Sequence, residues 1–309
     1  MSSTIVVGYD GRDHASDALA LGRLLARAEG VRLLVACAYP EDPLGESAAA
    51  HEIAADVRAD AEATLARARE ELAQAPGAPV AADFRAVAGA APARVLHELA
   101  EREDAEMIVV GATHHGAAIR LLTGSTPERV VEGAHCAVAV APAGFAARHA
   151  EDPTAIRRIA VAFDDSPEAR RALDEAAALA RRTGASLRVL TVVNTTVGLY
   201  PPLDPTAYAE ISDVARAGAR ERLRAATARL DGLEVATDVL DGDPALTLVD
   251  ATAEDDLLFT GSRGHGPFRR VLLGSVSTKL LREAACPVVI VPRAGEVAAG
   301  GRPATEATR

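Results

Sequence analysis

Tryptophan is absent from the 309 residues, and aromatics make up only 3%. A core must therefore be built from valine, leucine, isoleucine and alanine, a composition suited to parallel sheets covered by helices on both faces. Lysine is almost missing too: Lys279 is the only one, and arginine supplies the remaining positive charge. That excludes a lysine nucleophile or a phosphate-binding lysine in a glycine-rich loop. Cysteine occurs three times, at Cys37, Cys136 and Cys286, and never as C-x-x-C. Free, buried thiols fit a reducing compartment better than a disulfide scaffold. No run reaches the ~18 apolar residues a membrane span needs, and the opening MSSTIVVGYDGR lacks a basic region before an apolar one. The expectation is a cytoplasmic chain with no membrane partner. A net charge of −11 argues against nucleic acid as a general partner.

What is present is a repeat. A domain typically takes ~100–200 residues, so two are expected here. Apolar strands are expected at 4–9, 31–38, 80–85, 107–110 and 137–140, alternating with helical patterns such as 16–28, 48–73, 92 onward and 125–132. The segment 143–155 breaks the pattern and reads as a linker. The order then begins again: RIAVAFDDS (158–166) repeats TIVVGYDGR, LLFTGSRGHG (257–266) repeats MIVVGATHHG, and CPVVIVP (286–292) repeats CAVAVAP. The expected domains are 1–145 and 156–293, each an α/β doubly wound parallel sheet, with a disordered tail at 294–309. Ligands of such folds bind beyond the carboxyl ends of the strands, where the strand order reverses. Asp10 and the Gly111 loop share that edge. The last strands of the two copies, left as open edges, are expected to pair with each other.

The stretch 261–275, GSRGHGPFRRVLLGS, carries the chemistry. A strand enters it and a helix leaves it. Glycine permits positive φ and close backbone approach, and a helix start presents free N–H groups that suit phosphate. The spacing is neither the Walker loop nor the dinucleotide fingerprint. Adjacent His114 and His115 in the first copy are a weak metal signal. Asp255 and Asp256 read as solvated turn residues. No hydrolase elbow, Cys–His pairing or zinc-protease motif is present. The loop around Tyr200, Pro201, Pro202 and Tyr208 reads as either a lid or an idle surface segment.

The spacing G-x2-G-x9-G-S, set in Gly261, Gly264, Gly274 and Ser275, resembles the ATP-binding motif of the universal stress protein family, and the likeness extends over both copies. It implies a five-stranded, flavodoxin- or Rossmann-like domain that binds ATP or has lost it, and that commonly pairs through its last strand; here that pair would be internal, with a further homodimer open. By this resemblance the 261–266 backbone, Gly266 included, faces ribose and phosphates, with Arg263 beside it. Gly274, Ser275 and Val276 would donate to phosphates, Asp164 would reach ribose, phosphate or a nucleotide-bound Mg²⁺, and Ala162 and Val192 would offer backbone to adenine. Asp164 also reads as a helix cap or turn former. In the first copy Asp10, Gly111, Gly124 and Ser125 keep their places, but His114 replaces the middle glycine.

Three readings follow: a nucleotide-binding regulator acting on an unidentified protein partner, a slow ATPase or phosphoryl- or adenylyl-transferring enzyme on the same fold, and a nucleotide-free scaffold. Phosphoryl transfer needs positioned cations and an oriented nucleophile, and no base is evident, so the non-enzymatic reading leads. A histidine at the middle-glycine position adds volume and strain. Titration with ATP is expected to find about one tight site in the parent chain, and His114→Gly should gain affinity at the other. Two equal tight sites in the parent would show the middle glycine dispensable.

Overall fold

The computed structural model describes residues 3–41, 48–112, 126–149, 156–194, 205–262 and 273–292, with backbone only at 48–52 and 205–208. The first repeat runs β1 (Thr4–Gly8), α1 (Asp13–Glu29), β2 (Arg32–Tyr39), α2 (Ala48–Gln74), β3 (Ala82–Ala88), α3 (Pro92–Arg102), β4 (Met107–Gly111), α4 (Thr126–Gly133) and β5 (Ala137–Ala141). A short helix α5 (Phe145–Arg148) follows. The second repeat runs β6 (Arg158–Ala162), α6 (Pro167–Thr183), β7 (Ser186–Val193), α7 (Pro205–Thr227), β8 (Val235–Asp241), α8 (Pro244–Ala251), β9 (Leu257–Gly261), α9 (Ser275–Glu283) and β10 (Val288–Val291). The expected tail, 294–309, lies outside the described residues, as does the loop carrying Tyr200, Pro201 and Pro202.

Within each repeat every strand pair is parallel, and the order is β3-β2-β1-β4-β5, then β10-β9-β6-β7-β8. The order reverses beside β1 and beside β6, which sets a crevice at the carboxyl end of each. The two sheets do not stand apart. β5 and β10 pair antiparallel, Val140 opposite Val288 and Val138 opposite Ile290, so one sheet of ten strands crosses the molecule. Both strands are buried along their length, and apolar side chains on both faces are what a strand covered on both sides requires.

Strand alternation divides the core between the two faces. Ile5 and Val7 of β1 join Leu65 of α2, Leu173 of α6 and Leu223 of α7 on one side. Val6 joins Leu96 of α3, Val130 of α4, Leu248 of α8 and Leu280 of α9 on the other. Each face carries an ion pair across the repeat boundary: Arg182 of α6 with Glu29 of α1, and Arg282 of α9 with Glu128 of α4. The second repeat caps its helices better. Ser166 accepts the Ala169 N–H at 3.1 Å, and Asp243 accepts those of Ala245 and Leu246. At the matching ends Arg12 and Ala91 make no side-chain cap bond.

The segment read from sequence as a linker is in part built into the core. Phe145 is 1% exposed and stacks on His149. The buried Asp17 carboxylate of α1 accepts the N–H groups of Gly144 (2.9 Å) and Ala146 (2.8 Å). At the matching position of α6 stands Arg171, which donates to the Pro292 carbonyl at 2.8 Å. Each repeat thus fastens the chain leaving its last strand to its own first helix, once through an anion and once through a cation.

The expectation that Asp255 and Asp256 are solvated turn residues is overturned. Asp255 is buried and pairs with Arg188 at 2.7 Å. Burial raises its carboxyl, and the Arg188 hydrogen bond and charge oppose that rise without cancelling it. Asp256 accepts the N–H groups of Arg157 (2.7 Å) and Arg158 (2.8 Å), which anchors the start of β6. Sequence spacing alone does not show that the turn entering β9 lies beside an arginine of β7, two strands away in the sheet.

Removing the Phe145 ring should leave a cavity under α1, and Phe145→Ala is expected to lower unfolding stability by about 3–5 kcal/mol in urea titrations. Asp17→Ala strands two buried N–H groups and should cost about 1–3 kcal/mol. Losses below a few tenths of a kcal/mol in both variants would show that this segment is not docked.

Candidate functional site

In the second repeat β6 ends at Ala162, and Phe163 continues its register by donating to the Leu190 carbonyl at 2.8 Å. The chain then turns through Asp164 and Asp165. The exposed Asp164 carboxylate accepts the Ser166 N–H at 3.0 Å, an Asx turn that launches α6. Its turn-forming role is therefore real, and the group also stands at the mouth of the crevice. Asp165 takes φ +67°, which few non-glycine residues adopt, and pairs with Arg170 at 2.5 Å.

Gly261 closes β9 beside this turn. A Cβ there would lie 2.7 Å from Cβ of Glu168 and 3.0 Å from the Ala169 nitrogen, so the first turn of α6 rests directly on the strand end. The glycine is required by helix packing, which the reading of it as a ligand-facing residue did not anticipate. Its carbonyl accepts the buried Ser277 hydroxyl of α9 at 3.0 Å. Ser262 donates to Val291 and accepts the Gly274 N–H, both at 3.0 Å, which ties the two ends of the intervening loop together. Arg263, Gly264 and Gly266 lie outside the described residues. Gly274 is the N-cap of α9 with φ −62° and ψ 150°. That conformation is open to any residue, so the positive φ that glycine permits is not used at this position. Ser275 opens α9, exposed, and Val276 is half-buried. The first N–H groups of the helix have no partner within it.

Ala162, Val192, Leu273 and Val276 all pack on one apolar cluster, the face covered by α8 and α9. The structure therefore gathers Ala162, Asp164, Val192, Gly261, Gly274, Ser275 and Val276 at one edge of the sheet, on residues more than a hundred positions apart. Two hydroxyls escaped the sequence reading. Ser277 holds the end of β9, and Thr191 donates to the Phe163 carbonyl at 2.7 Å. Serine and threonine inside strands and helices carry no motif, so no sequence signal marks them.

The first repeat has the same frame with different chemistry. Gly111 closes β4, and a Cβ on it would fall inside the His14 carbonyl oxygen of α1. Asp10 accepts the Arg12 N–H at 3.1 Å and sits 3.3 Å from Nε2 of His14. Burial pushes its carboxyl up, but the His14 hydrogen bond, the Arg12 N–H and the Arg12 guanidinium outweigh that and hold it below the usual aspartate range. The Phe163 position is Tyr9, whose buried hydroxyl donates to Glu71 at 2.6 Å. The Thr191 position is Cys37, a thiol raised by burial and by the Asp10 charge. Gly124, Ser125, His114 and His115 lie outside the described residues. Among the described residues, no group of three or more His, Cys, Asp or Glu side chains is placed to hold a metal ion, and no helix is long and apolar enough to cross a membrane.

The universal stress protein family model matches residues 1–142 and 155–292. A universal stress protein of Mycolicibacterium smegmatis is 33% identical over 192 residues, 61% of this chain and 62% of its own length. One from Mycobacterium tuberculosis is 34% identical over 188 residues, 60% of this chain and 62% of its own; the chain thus spans about three-fifths of these relatives. A Thermus aquaticus universal stress protein is 36% identical over 146 residues, 45% of this chain and 97% of its own length. The crystal structure of a universal stress protein from Archaeoglobus fulgidus shares the fold, with a TM-score of 0.66 at 22% identity over 95% of this chain and 97% of that one. With both repeats matched and the tandem sheet in common, the chain belongs to the universal stress protein family.

Proposed function

We propose that the second repeat holds an adenine nucleotide, ATP with its Mg²⁺, and that the chain acts as a non-enzymatic, nucleotide-responsive regulator of a protein partner in the cytoplasm. The observation that carries this reading is the convergence at the end of β9. The loop ends are clamped by the Ser262–Gly274 hydrogen bond, α9 opens there with a small exposed serine, and an exposed carboxylate stands across the crevice at Asp164. A helix start stabilises phosphate through its N–H groups and dipole. The partly apolar wall of Ala162, Val192 and Val276 suits a purine, and a carboxylate beside phosphate serves a ribose hydroxyl or the metal. Arg263, Gly264 and Gly266 belong to the same loop by sequence. In the first repeat Asp10, Gly111, Gly124 and Ser125 would form the corresponding, weaker site.

Support for a non-enzymatic role comes from how the acidic group is used. Asp164 orders the α6 turn through the Ser166 N–H, a task that constrains it as a general base. The sole lysine, Lys279, lies on α9 rather than in the loop.

Native mass spectrometry of freshly purified protein should show an adenine nucleotide carried through purification. Gly274→Val should abolish calorimetric ATP binding at the second repeat without shifting the unfolding midpoint, because its backbone angles suit valine and only the added volume meets the phosphates. Binding equal to that of the parent would misplace the site. Steady-state turnover with Mg²⁺ is expected to fall far below the ~1–10³ s⁻¹ usual for enzymes; rapid ADP release lost in Asp164→Ala would replace this reading with the ATPase one.

A further inference from the structure

Arg23 stands in the middle of α1 with 6% of its surface exposed. Among the described residues its guanidinium makes one hydrogen bond, from Nη1 to the Pro76 carbonyl at 2.5 Å, just beyond the end of α2. Burial lowers this guanidinium from the usual arginine range, and the charge of Arg27, one turn further along α1, lowers it again. Arg27 is half-buried, and its Nη1 is shut off from solvent with no hydrogen-bond partner. Among the described residues neither guanidinium is paired with a carboxylate. Three carboxylates of the same two helices are engaged elsewhere: Asp17 holds Gly144 and Ala146, Glu29 pairs with Arg182, and Glu71 accepts the Tyr9 hydroxyl. Arginine cannot shed its proton to escape burial, and two cations at i and i+4 repel. Buried charges are ordinarily paired. The fold does not itself require a cation there, because the matching position of α6 is Ala177, fully buried.

We propose that Arg23 and Arg27 form an anion site of the first repeat, at the seam between α1 and the chain leaving α2, which takes a phosphate oxyanion, free or as the end group of a larger molecule. Two guanidinium charges are answered by a dianion, and a phosphate group carries close to that charge near pH 7. One carboxylate or chloride leaves a cation unanswered. The planar fork of arginine also matches the oxygens of phosphate two at a time. The half-buried flank of Arg27 and the exposed Pro76 open the seam to solvent. Arg23 lies about 15 Å along α1 from its first residue, apart from the crevice that carries Asp10. The proposal does not rest on the nucleotide reading above.

The test uses the full chain carrying Gly274→Val, which removes phosphate contact at the start of α9. This reference chain is titrated calorimetrically with inorganic phosphate in chloride buffer, alone and with Arg23→Ala, Arg23→Lys or Arg27→Gln added. Arg23→Ala copies the second repeat. The reference chain should show one saturable site. Arg23→Ala and Arg27→Gln should each weaken it on the order of tenfold or more, as loss of a charge-assisted hydrogen bond does, and Arg23→Lys should fall between. Urea unfolding separates binding from a structural role. A residue that only clamps the Pro76 carbonyl loses the same stability on substitution with or without phosphate. A residue that binds the anion makes phosphate raise the midpoint of the reference chain more than that of the variants, and the general salting effect of phosphate cancels in that comparison. Should Arg23→Ala fail to fold, Arg27→Gln, at a half-buried position, gives the same readout. Tripolyphosphate binding more tightly than phosphate supports an end group of a larger molecule as the ligand, and the reverse order supports free phosphate. No saturable phosphate binding in the reference chain, equal binding in Arg23→Ala and Arg27→Gln, or acetate binding as tightly at matched ionic strength overturns the proposal. None of these outcomes touches the second-repeat nucleotide site, and failure of ATP to bind there leaves this site standing.

Discussion

The contact on which the site depends is the seating of the first helix of each repeat on a strand-ending glycine. α1 presses on Gly111 and α6 on Gly261, so closely that a methyl group has no room. Because the helix start is fixed against β4 or β9, the turn before it is carried over the crevice beside β1 or β6. That places Asp10 and Asp164 at the carboxyl edge of the sheet, in the turns that follow β1 and β6. The Asx bonds to Arg12 and Ser166 then hold each aspartate in its turn. The position of each aspartate is thus set by packing well inside the sheet edge.

A second constraint works on the opposite side of each repeat. β5 and β10 are short and wholly apolar, which suits only strands with neighbours on both edges and cover on both faces. Their mutual pairing aligns α1 with α6 on one face and α4 with α9 on the other, and an ion pair joins each couple. The frame is symmetric while the charges on it are not. The same holds where the chain leaves each repeat, with Asp17 gripping N–H groups and Arg171 gripping a carbonyl.

Much of this was legible beforehand. Runs such as TIVVGY and LLFTG alternate with helical spacing and recur, which carries the parallel α/β fold and its two copies, and the open edges of the last strands carry the expectation that β5 meets β10. The convergence of Asp164 with Gly261, Gly274 and Ser275 followed from strand ends sharing one edge. Less legible was anything that depends on which side chain meets which across the sheet. Gly261 and Gly111 were read as ligand-facing, whereas helix contact demands them. Gly274 makes no use of the positive φ open to glycine and takes an extended angle. Asp255 looked like a surface turn until Arg188 of β7 was seen beside it. Phe145, one of few aromatics, sits in a segment whose composition resembles a tether, and only its burial shows that the segment is docked. Periodicity reports which face of an element is covered; it is silent on what covers it.

Joining β5 to β10 within one chain has a consequence for abundance. Two separate domains that meet through their last strands would part on dilution, and the fraction assembled would track how much protein the cell holds. Covalent linkage replaces that second-order equilibrium with a fixed local concentration. Any partner that reads both repeats together therefore meets the same ratio and spacing whether the protein is scarce or plentiful, and the inner edge of each sheet is already taken when a second copy arrives.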